Sequence, residues 1–203
     1  CELRNISIVR RFTRGRGLLH QHEFTYSLVA SIPHPGFPGN LGGDFCAVSK
    51  AVILSLEKAG VIKPEMVCKE KRIPGRGQKR SPACFSTSNH WEISVKGKKL
   101  AGSAQRRLSR AFLQHGSILL DKDPELVHSL LRYFSDSAKE QELRNLTSNT
   151  LTLNEVLPVN VEWGKLAQCF GDGFRETFSV SWKSVPLSSL EMGLVEKYLK
   201  ESE

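Results

Sequence analysis

The sequence lacks a long apolar run and shows no secretory signal. A membrane-spanning helix needs about 20 consecutive apolar residues, whereas the longest apolar stretch, Ala47 to Leu56, is interrupted by Ser49 and Lys50. Hydrophobic residues make up 39% of the chain and charged residues 25%, as in globular proteins that fold in water. This composition excludes a transmembrane helix and predicts a cytoplasmic protein.

Cysteine is scarce and scattered. An odd number of widely spaced cysteines does not form a disulfide framework, and no pair has the spacing of zinc ligands. We therefore predict thiols in a reducing compartment and no metal site, although one thiol can still be reactive. The five are Cys1, Cys46, Cys68, Cys84 and Cys169.

Acidic residues are the minority: 21 Asp and Glu face 29 Lys and Arg, which gives a net charge of +8. A basic chain favours an acidic partner, which can be nucleic acid, a membrane surface or an acidic protein. Residues 69–80 (KEKRIPGRGQKR) contain six basic residues and one acid. They predict an open basic loop, which either steers an acidic partner or is simply solvated.

Strand patterns dominate residues 1–120 and helical patterns dominate the rest. This order predicts one domain over residues 1–203, of the α+β class, with helices packed on a mixed or antiparallel sheet. The predicted strands are 5–11, 23–30, 91–96, 99–104, 112–120 and 177–182, and the main predicted helices are 44–59, 124–134, 135–143, 160–174 and 188–200.

The segment RRFTRGRGLLH, from Arg10 to His20, joins four arginines to two glycines and an imidazole. Glycine lets a backbone approach a ligand closely, and arginine binds carboxylate or phosphate with paired donors. The segment therefore suits an anionic or polar headgroup. An RNA-binding or merely solvated basic loop is about equally compatible with it.

Two further segments carry a candidate reactive side chain. Cys84 follows the basic loop, where neighbouring cations favour the thiolate, although an inert half-buried thiol is the commoner case. After a turn at Lys96 and Gly97, strand alternation places Lys98 on one face and Lys99, with Ala101, on the other, so that one lysine points inward beside small residues. A lysine there can stabilise charge on a carbonyl or phosphate oxygen; two solvated turn lysines are the alternative.

The segment LQHGS, which contains His115, has the weakest chemical signal. A polar turn or a structural histidine explains it as well as a catalytic one does. Its interest comes from its place after the lysine segment in the chain.

Taken in order, these segments resemble the lipoate–protein ligase A and octanoyltransferase family, which is related to biotin–protein ligases. Arg10, Arg11, Thr13 and Gly15 match its arginine-arginine-x-threonine-glycine-glycine loop, and His20 matches the histidine that follows. The run 97–105 matches its catalytic-lysine segment, with Lys99 as the family lysine, and 114–117 and 163–178 match later parts. The resemblance implies a biotin/lipoate ligase-like catalytic domain.

The transferase branch of this family has a cysteine in an Ala-Cys-Phe context, which Cys84 matches. The resemblance implies that the Cys84 thiolate takes an octanoyl group from an acyl carrier protein and passes it to a lysine of a lipoyl-domain protein. Lys99 would polarise the acyl carbonyl and His20 would assist proton transfer. The implied substrate-binding residues are Arg11, Thr13, Gly15, Arg16, Gly102, Ser103, Ala104 and His115.

Two other functions stay open on the residues. An ATP-dependent lipoate ligase would need ATP and magnesium and Lys99, but not Cys84; the transfer reaction needs no cofactor. A basic RNA-binding module would need neither side chain. The expected partners are an acidic acyl carrier protein as donor and a lipoyl-domain protein, such as glycine cleavage H protein or a 2-oxoacid dehydrogenase E2, as acceptor.

The sequence departs from the family pattern in two places. Arg14 stands where the family has its first loop glycine, at a position where an arginine can fill space needed by the substrate. The chain begins with Cys1, and we expect that family elements preceding the arginine loop are missing from it.

Overall fold

The structure is a computed structural model that describes residues 6–13, 17–67, 92–133 and 135–202. Within these ranges the chain forms an antiparallel sheet and a set of helices, as the α+β prediction requires. The strands are β1 (Glu23–Ser31), β2 (Glu65–Val67), β3 (Glu92–Val95), β4 (Lys98–Arg107) and β5 (Ala111–Leu119). The helices are α1 (Leu41–Lys58), α2 (Pro124–Ser129), α3 (Asp136–Ser148), α4 (Leu153–Val156), α5 (Trp163–Phe178) and α6 (Ser189–Ser202).

The sheet has the strand order β1-β5-β4-β3-β2, and every pairing is antiparallel. Strand β4 therefore lies at the centre of the sheet, with β5 on one side of it and β3 on the other. Side chains on a strand alternate between faces, so the central strands present one set of residues to each side of the sheet. The candidate segments 97–105 and 113–117 thus become neighbours.

One face of the sheet, here called the core face, packs against α1 and α5. Alternate strand residues such as Phe24, Ala101 and Ile118 are buried there. The two helices contribute one apolar stripe each, because their buried residues recur every three or four positions. The helical members include Val48, Val52, Leu56, Leu166, Phe170 and Phe174.

The opposite face, here called the second face, has a smaller apolar cluster. Leu146 of α3 is buried against Leu18, Leu119, Val127 and Leu131. The segment after the arginine loop and helices α2 and α3 therefore cover this part of the sheet. This cover leaves the second face accessible over only part of its area.

Helices α1 and α5 are in close contact at Gly173. A Cβ atom added at this position would lie 2.7 Å from the backbone nitrogen of Ser55 and even closer to its hydroxyl. Since backbone atoms cannot move aside without shifting α1, a side chain at position 173 would separate the two helices. Glycine here is required by packing.

We expect Gly173→Ala to lower the free energy of unfolding by ~1–3 kcal/mol, the usual cost of overpacking a core. The matched control is Gly171→Ala in the same helix, where an added Cβ meets nothing within 4 Å. That control should be neutral or stabilising by up to ~1 kcal/mol, because alanine favours a helix over glycine. Urea denaturation followed by circular dichroism measures both; equal effects of the two substitutions would contradict the packing assignment.

Two of the predicted strands are wrong. Residues 6–11 form no strand, and Ile8 and Val9 are exposed, because this part of the chain has no strand partner among the described residues. Residues 177–182 do not form one either: Thr177 and Phe178 extend α5, which ends at Ser179 in the left-handed conformation. Phe178 packs against the rings of α5 and the loop before α1, so its apolar character serves a helix face.

The other predicted elements are present, and most of their ends agree with the prediction to within four residues. Helix α2 ends at Ser129, five residues before its predicted end, and α3 extends to Ser148, five residues beyond its predicted end. The capping box predicted at Ser188 is present: the Ser188 backbone N–H donates to the Glu191 carboxylate, and the Glu191 N–H donates to the Ser188 hydroxyl. Strand β2 was not predicted. Across the described part of the chain, none of the helices has both the length and the apolar character that crossing a bilayer requires.

Candidate functional site

Lys99 lies on the second face of the sheet because of a bulge in β4. Lys99 pairs with Ser94 but Ala101 pairs with Ile93, so Leu100 is an extra residue between two consecutive residues of β3. Paired residues of antiparallel strands point to the same side, and Ile93 and Ser94 point to opposite sides. The prediction that Lys99 shares a face with Ala101 is therefore wrong: Leu100 and Ala101 both enter the core, and Lys99 turns away from it.

The turn before Lys99 is as the sequence predicted. Lys96 and Gly97 have φ angles of 51° and 74°, which is the left-handed pair of a two-residue hairpin turn. This turn brings the strands on either side of it into register. As a result the start of β4 folds back directly over β3.

Lys99 is buried and forms an ion pair across this hairpin. Its side chain is 7% exposed, and its Nζ donates to Oε1 of Glu92 over 2.8 Å; the Glu92 side chain is equally buried. The backbone is held as well, since the Lys99 N–H donates to the Asn149 carbonyl and the Leu151 N–H donates to the Lys99 carbonyl, each over 2.8 Å. The sequence reasoning missed Glu92, although a carboxylate on one strand of a tight hairpin and a lysine on the other was a usable signal.

His115 lies on the same face as Lys99 and contacts the arginine loop. It is opposite Ala104 of β4, and its Nε2 is 2.7 Å from the Thr13 hydroxyl. These two residues are 102 positions apart in the chain. The hydrogen bond therefore joins the first and last of the candidate segments.

The surroundings of His115 disfavour its charged form. Burial lowers the pKa of the His115 imidazole, and the positive charges of Arg11 and His20 lower it further. The ring is thus neutral at pH 7 and can accept or donate a hydrogen bond at each nitrogen according to its tautomer. It is suited to holding a polar group in place.

Arg106 fixes the start of the arginine loop to this face. Its guanidinium carbon stands 3.9 Å from the centre of the Phe12 ring, and its Nη1 donates to the Phe12 carbonyl over 2.9 Å. Arg106 follows Gly102 and Ala104 along β4 at intervals of two, so all three share the second face. Phe12 lies between Arg11 and Thr13, which are therefore held near the centre of the sheet.

His20 occupies the rim of this arrangement. Its side chain is 60% exposed, and its Nδ1 pairs with the Glu23 carboxylate at the start of β1. It is close enough to His115 to lower the pKa of that ring.

Ser103 faces the other way. Its hydroxyl is 2.8 Å from the Tyr26 hydroxyl on the core face, where Gln105 and Gln114 also form a hydrogen bond. Burial raises the pKa of Tyr26, and hydrogen bonds from Ser103 and Gln114 oppose that rise. Tyr26 also packs over Gly116, where an added Cβ would lie 2.5 Å from its ring. The hydrogen bonds of this polar cluster connect β1, β4 and β5 on the core face, opposite the face that carries Lys99.

Two buried hydroxyls on the second face have no hydrogen-bond partner within the ranges that the structure describes. They belong to Ser94, which is paired with Lys99, and Ser117, which is paired with Gly102. A buried polar group without a partner is costly, and such groups are commonly satisfied by a ligand or water. The face thus offers hydrogen bonds on both sides of Lys99.

A small cavity of about 60 Å³ adjoins the site. Its apolar wall includes Leu18, Leu119 and Leu146, and its rim includes Lys122 and Thr150. Thr150 is also the bridge partner of Lys99. The cavity is therefore bounded by the end of the arginine loop, by the end of β5 and by the residue that bridges to Lys99.

Several predicted site residues lie outside the described residues. They are Cys84, Gly15 and Arg16, together with Arg14 and the basic segment 69–80. Among the residues that are described, no cluster of His, Cys, Asp or Glu has the arrangement of a metal site. The structure brings together Lys99, Gly102, Ala104, His115 and Thr13 on one face, with Arg11 near His115.

Comparison with known proteins identifies the family that the sequence motifs resemble. The model of the lipoyl protein ligase A/B catalytic domain matches residues 1–175. Octanoyltransferase LipM of Brevibacillus brevis is 33% identical over 199 residues, which cover 97% of this chain and 72% of that protein. Octanoyltransferase LipM of Bacillus subtilis is 32% identical over 192 residues, with 94% of this chain and 69% of that protein covered.

Solved structures share the fold. A lipoate protein ligase of a bipartite archaeal lipoylation system from Thermoplasma acidophilum superposes with a TM-score of 0.78 at 17% identity, covering 98% of this chain and 69% of that one. A lipoate-protein ligase A bound with ATP gives a TM-score of 0.71 at 18% identity, with 98% and 70% covered. At such identities the likeness concerns architecture. Together with the sequence relatives, it shows that this chain belongs to the lipoyl protein ligase A/B catalytic domain family.

Proposed function

We propose that this chain is an octanoyltransferase that moves an octanoyl group from a carrier-protein thioester to a lysine amine of a lipoyl domain. Curated relatives with this name cover nearly the whole chain. The observation that carries the proposal is the buried Lys99 ammonium on the second face, beside the strand where His115 meets the arginine loop. We propose that the reaction takes place in the cytoplasm.

In the first step the Cys84 thiolate attacks the carbonyl carbon of the octanoyl thioester. A carbon–sulfur bond forms to Cys84, negative charge develops on the carbonyl oxygen, and the carrier thiolate leaves and takes up a proton. A fixed ammonium stabilises this oxygen more strongly in a water-poor site than in bulk water, which is the role of Lys99. No high-energy cofactor is required, because the acyl group arrives already activated.

In the second step the acceptor lysine amine attacks the Cys84 thioester. The amide bond forms, the Cys84 thiolate departs, and the proton lost by the amine goes to a base, for which His20 is the candidate. Lys99 again faces the developing oxyanion. Dividing one transfer into two thioester steps is ordinary covalent catalysis.

The remaining site residues bind the acyl group. Neutral His115, held by Thr13, supplies a hydrogen bond to the polar end, and Gly102 and Ala104 leave space above β4 because their side chains are absent or small. Arg11, Gly15 and Arg16 of the arginine loop complete the proposed set of binding residues. The apolar cavity beside Leu18 and Leu119 provides further space for the hydrocarbon chain of the acyl group.

Both protein substrates are expected to be acidic. The net charge of +8 and the basic segment 69–80 favour encounter with acidic domains through long-range attraction. The archaeal ligase of the same fold, which was studied with its E2 lipoyl domain, supports a lipoyl domain as the acceptor. The donor follows from the thioester chemistry.

Intact-protein mass spectrometry distinguishes transfer from ATP-dependent ligation. The chain is mixed with an octanoyl acyl carrier protein in the absence of ATP, and a mass increase of one octanoyl group is expected. Adding an apo lipoyl domain should then discharge this adduct onto the acceptor. If the acceptor is modified only when free acid, ATP and magnesium are supplied, the chain is a ligase and the proposal fails; binding of RNA without either reaction also overturns it.

A further inference from the structure

The ion pair between Lys99 and Glu92 is unusual for its burial. Each side chain is 7% exposed, and the Nζ to Oε1 distance is 2.8 Å. Removing two charges from water costs several kcal/mol per ion, and the attraction between them only about repays this cost. An apolar pair of similar volume at these two positions would be at least as stable. The pair therefore suggests a role other than stability.

The geometry indicates what that role is. Glu92 and Ser94 are on the second face of β3, and Ser94 is the residue paired with Lys99. The lysine side chain is a flexible four-carbon chain, so its ammonium group samples many positions unless a partner binds it. The Glu92 carboxylate on the neighbouring strand accepts a hydrogen bond from the Lys99 ammonium, which fixes the position of the nitrogen.

We propose that Glu92 is a positioning residue for acyl transfer: its carboxylate aims the Lys99 ammonium at the acyl carbonyl oxygen. The inference rests on the proposed function, since it assigns Lys99 its place in that reaction. Glu92 acts through Lys99 and contacts no reacting atom.

A second ion pair in the same strand provides the matched control. Arg107, at the far end of β4, pairs with the fully buried carboxylate of Asp44 on α1. Arg107 is eight positions along β4 from Lys99, a separation of roughly 26 Å. Asp44→Asn thus breaks a buried ion pair of the same strand without touching the candidate site.

The experiment compares kcat and KM of octanoyl transfer for the wild type, Glu92→Gln, Glu92→Asp and Asp44→Asn. We expect Glu92→Gln to lower kcat roughly 100-fold, the effect of a misplaced catalytic group, with KM changed less than about threefold. Glu92→Asp keeps the charge and should recover part of kcat. Asp44→Asn should lower the melting temperature and keep kcat.

A second readout does not depend on turnover. Lys99 is buried against Glu92, so an acylating reagent should label it slowly in the wild type and faster in Glu92→Gln, where the ion pair that holds its nitrogen is lost. Exposed Lys98 in the same peptide is the internal reference.

Unchanged Lys99 labelling, or a kcat for Glu92→Gln within threefold of the wild type, overturns the inference; so does an equal kcat loss in Asp44→Asn. If labelling changes as expected but no variant and no wild-type sample transfers octanoate, the proposed function fails and the holding of Lys99 by Glu92 stands.

Discussion

Lys99→Met is expected to reduce acyl transfer roughly 100- to 1,000-fold, the usual effect of removing one oxyanion-stabilising donor. It should also lower the free energy of unfolding by ~3–5 kcal/mol, because the buried Glu92 carboxylate loses its ammonium. Methionine has nearly the shape of lysine without the charge, so packing at the start of β4 is preserved. The change therefore tests charge alone.

The two effects are separable with a double variant. In Glu92→Leu/Lys99→Met both charges are replaced by apolar groups, and the stability lost in Lys99→Met should return. The double variant should nevertheless remain inactive. Urea denaturation and the initial rate of octanoyl transfer measure the two properties. A stable double variant with wild-type activity would remove Lys99 from the mechanism.

The second large effect is expected from Cys84→Ala. If the acyl group passes through a thioester on this residue, the variant should form no octanoyl adduct, and transfer to a lipoyl domain should fall at least about 1,000-fold, as when a nucleophile is removed from other covalent catalysts. Unlike Lys99→Met, this change discriminates between mechanisms. An adenylate-forming ligase has no use for the thiol and would keep its rate.

The control for this prediction is Cys46→Ala. Cys46 lies on α1, on the side of the core remote from Lys99, and is partly buried. Its substitution should leave both the adduct and the turnover of the wild type. Retention of the adduct in Cys84→Ala, or its loss in Cys46→Ala, would mean that the acyl group is carried by another side chain.

The order of the motifs along the chain was sufficient to predict the family and the fold class. The arginine segment, the lysine after a glycine turn and the QHGS run each have a common alternative explanation, but their combination in one order is specific. The turn at Lys96 and Gly97 is also a local property, since only two residues with positive φ are needed to form it. These features do not depend on distant parts of the chain.

Two strand predictions were wrong because the predicted segments do not pair with a neighbouring strand among the described residues. Residues 5–11 alternate like a strand, yet residues 6–11 pair with no other strand in the described part of the chain. The pattern of residues 177–182 predicts a strand, but Phe178 packs in the aromatic cluster at the end of α5. In both cases tertiary contacts outweighed the local propensity of the residues.

By itself the sequence determined which chemical groups this protein has and in what order, because residue identity and short turns are local. Only the tertiary structure decided which groups face each other. The extra residue Leu100 turns Lys99 onto the second face, a shift that strand alternation in β4 alone cannot reveal because it depends on the register with β3. Likewise, Glu92 and Thr13 acquire their partners, Lys99 and His115, through sheet pairing and loop packing, and a contact across 102 residues is set by the whole fold.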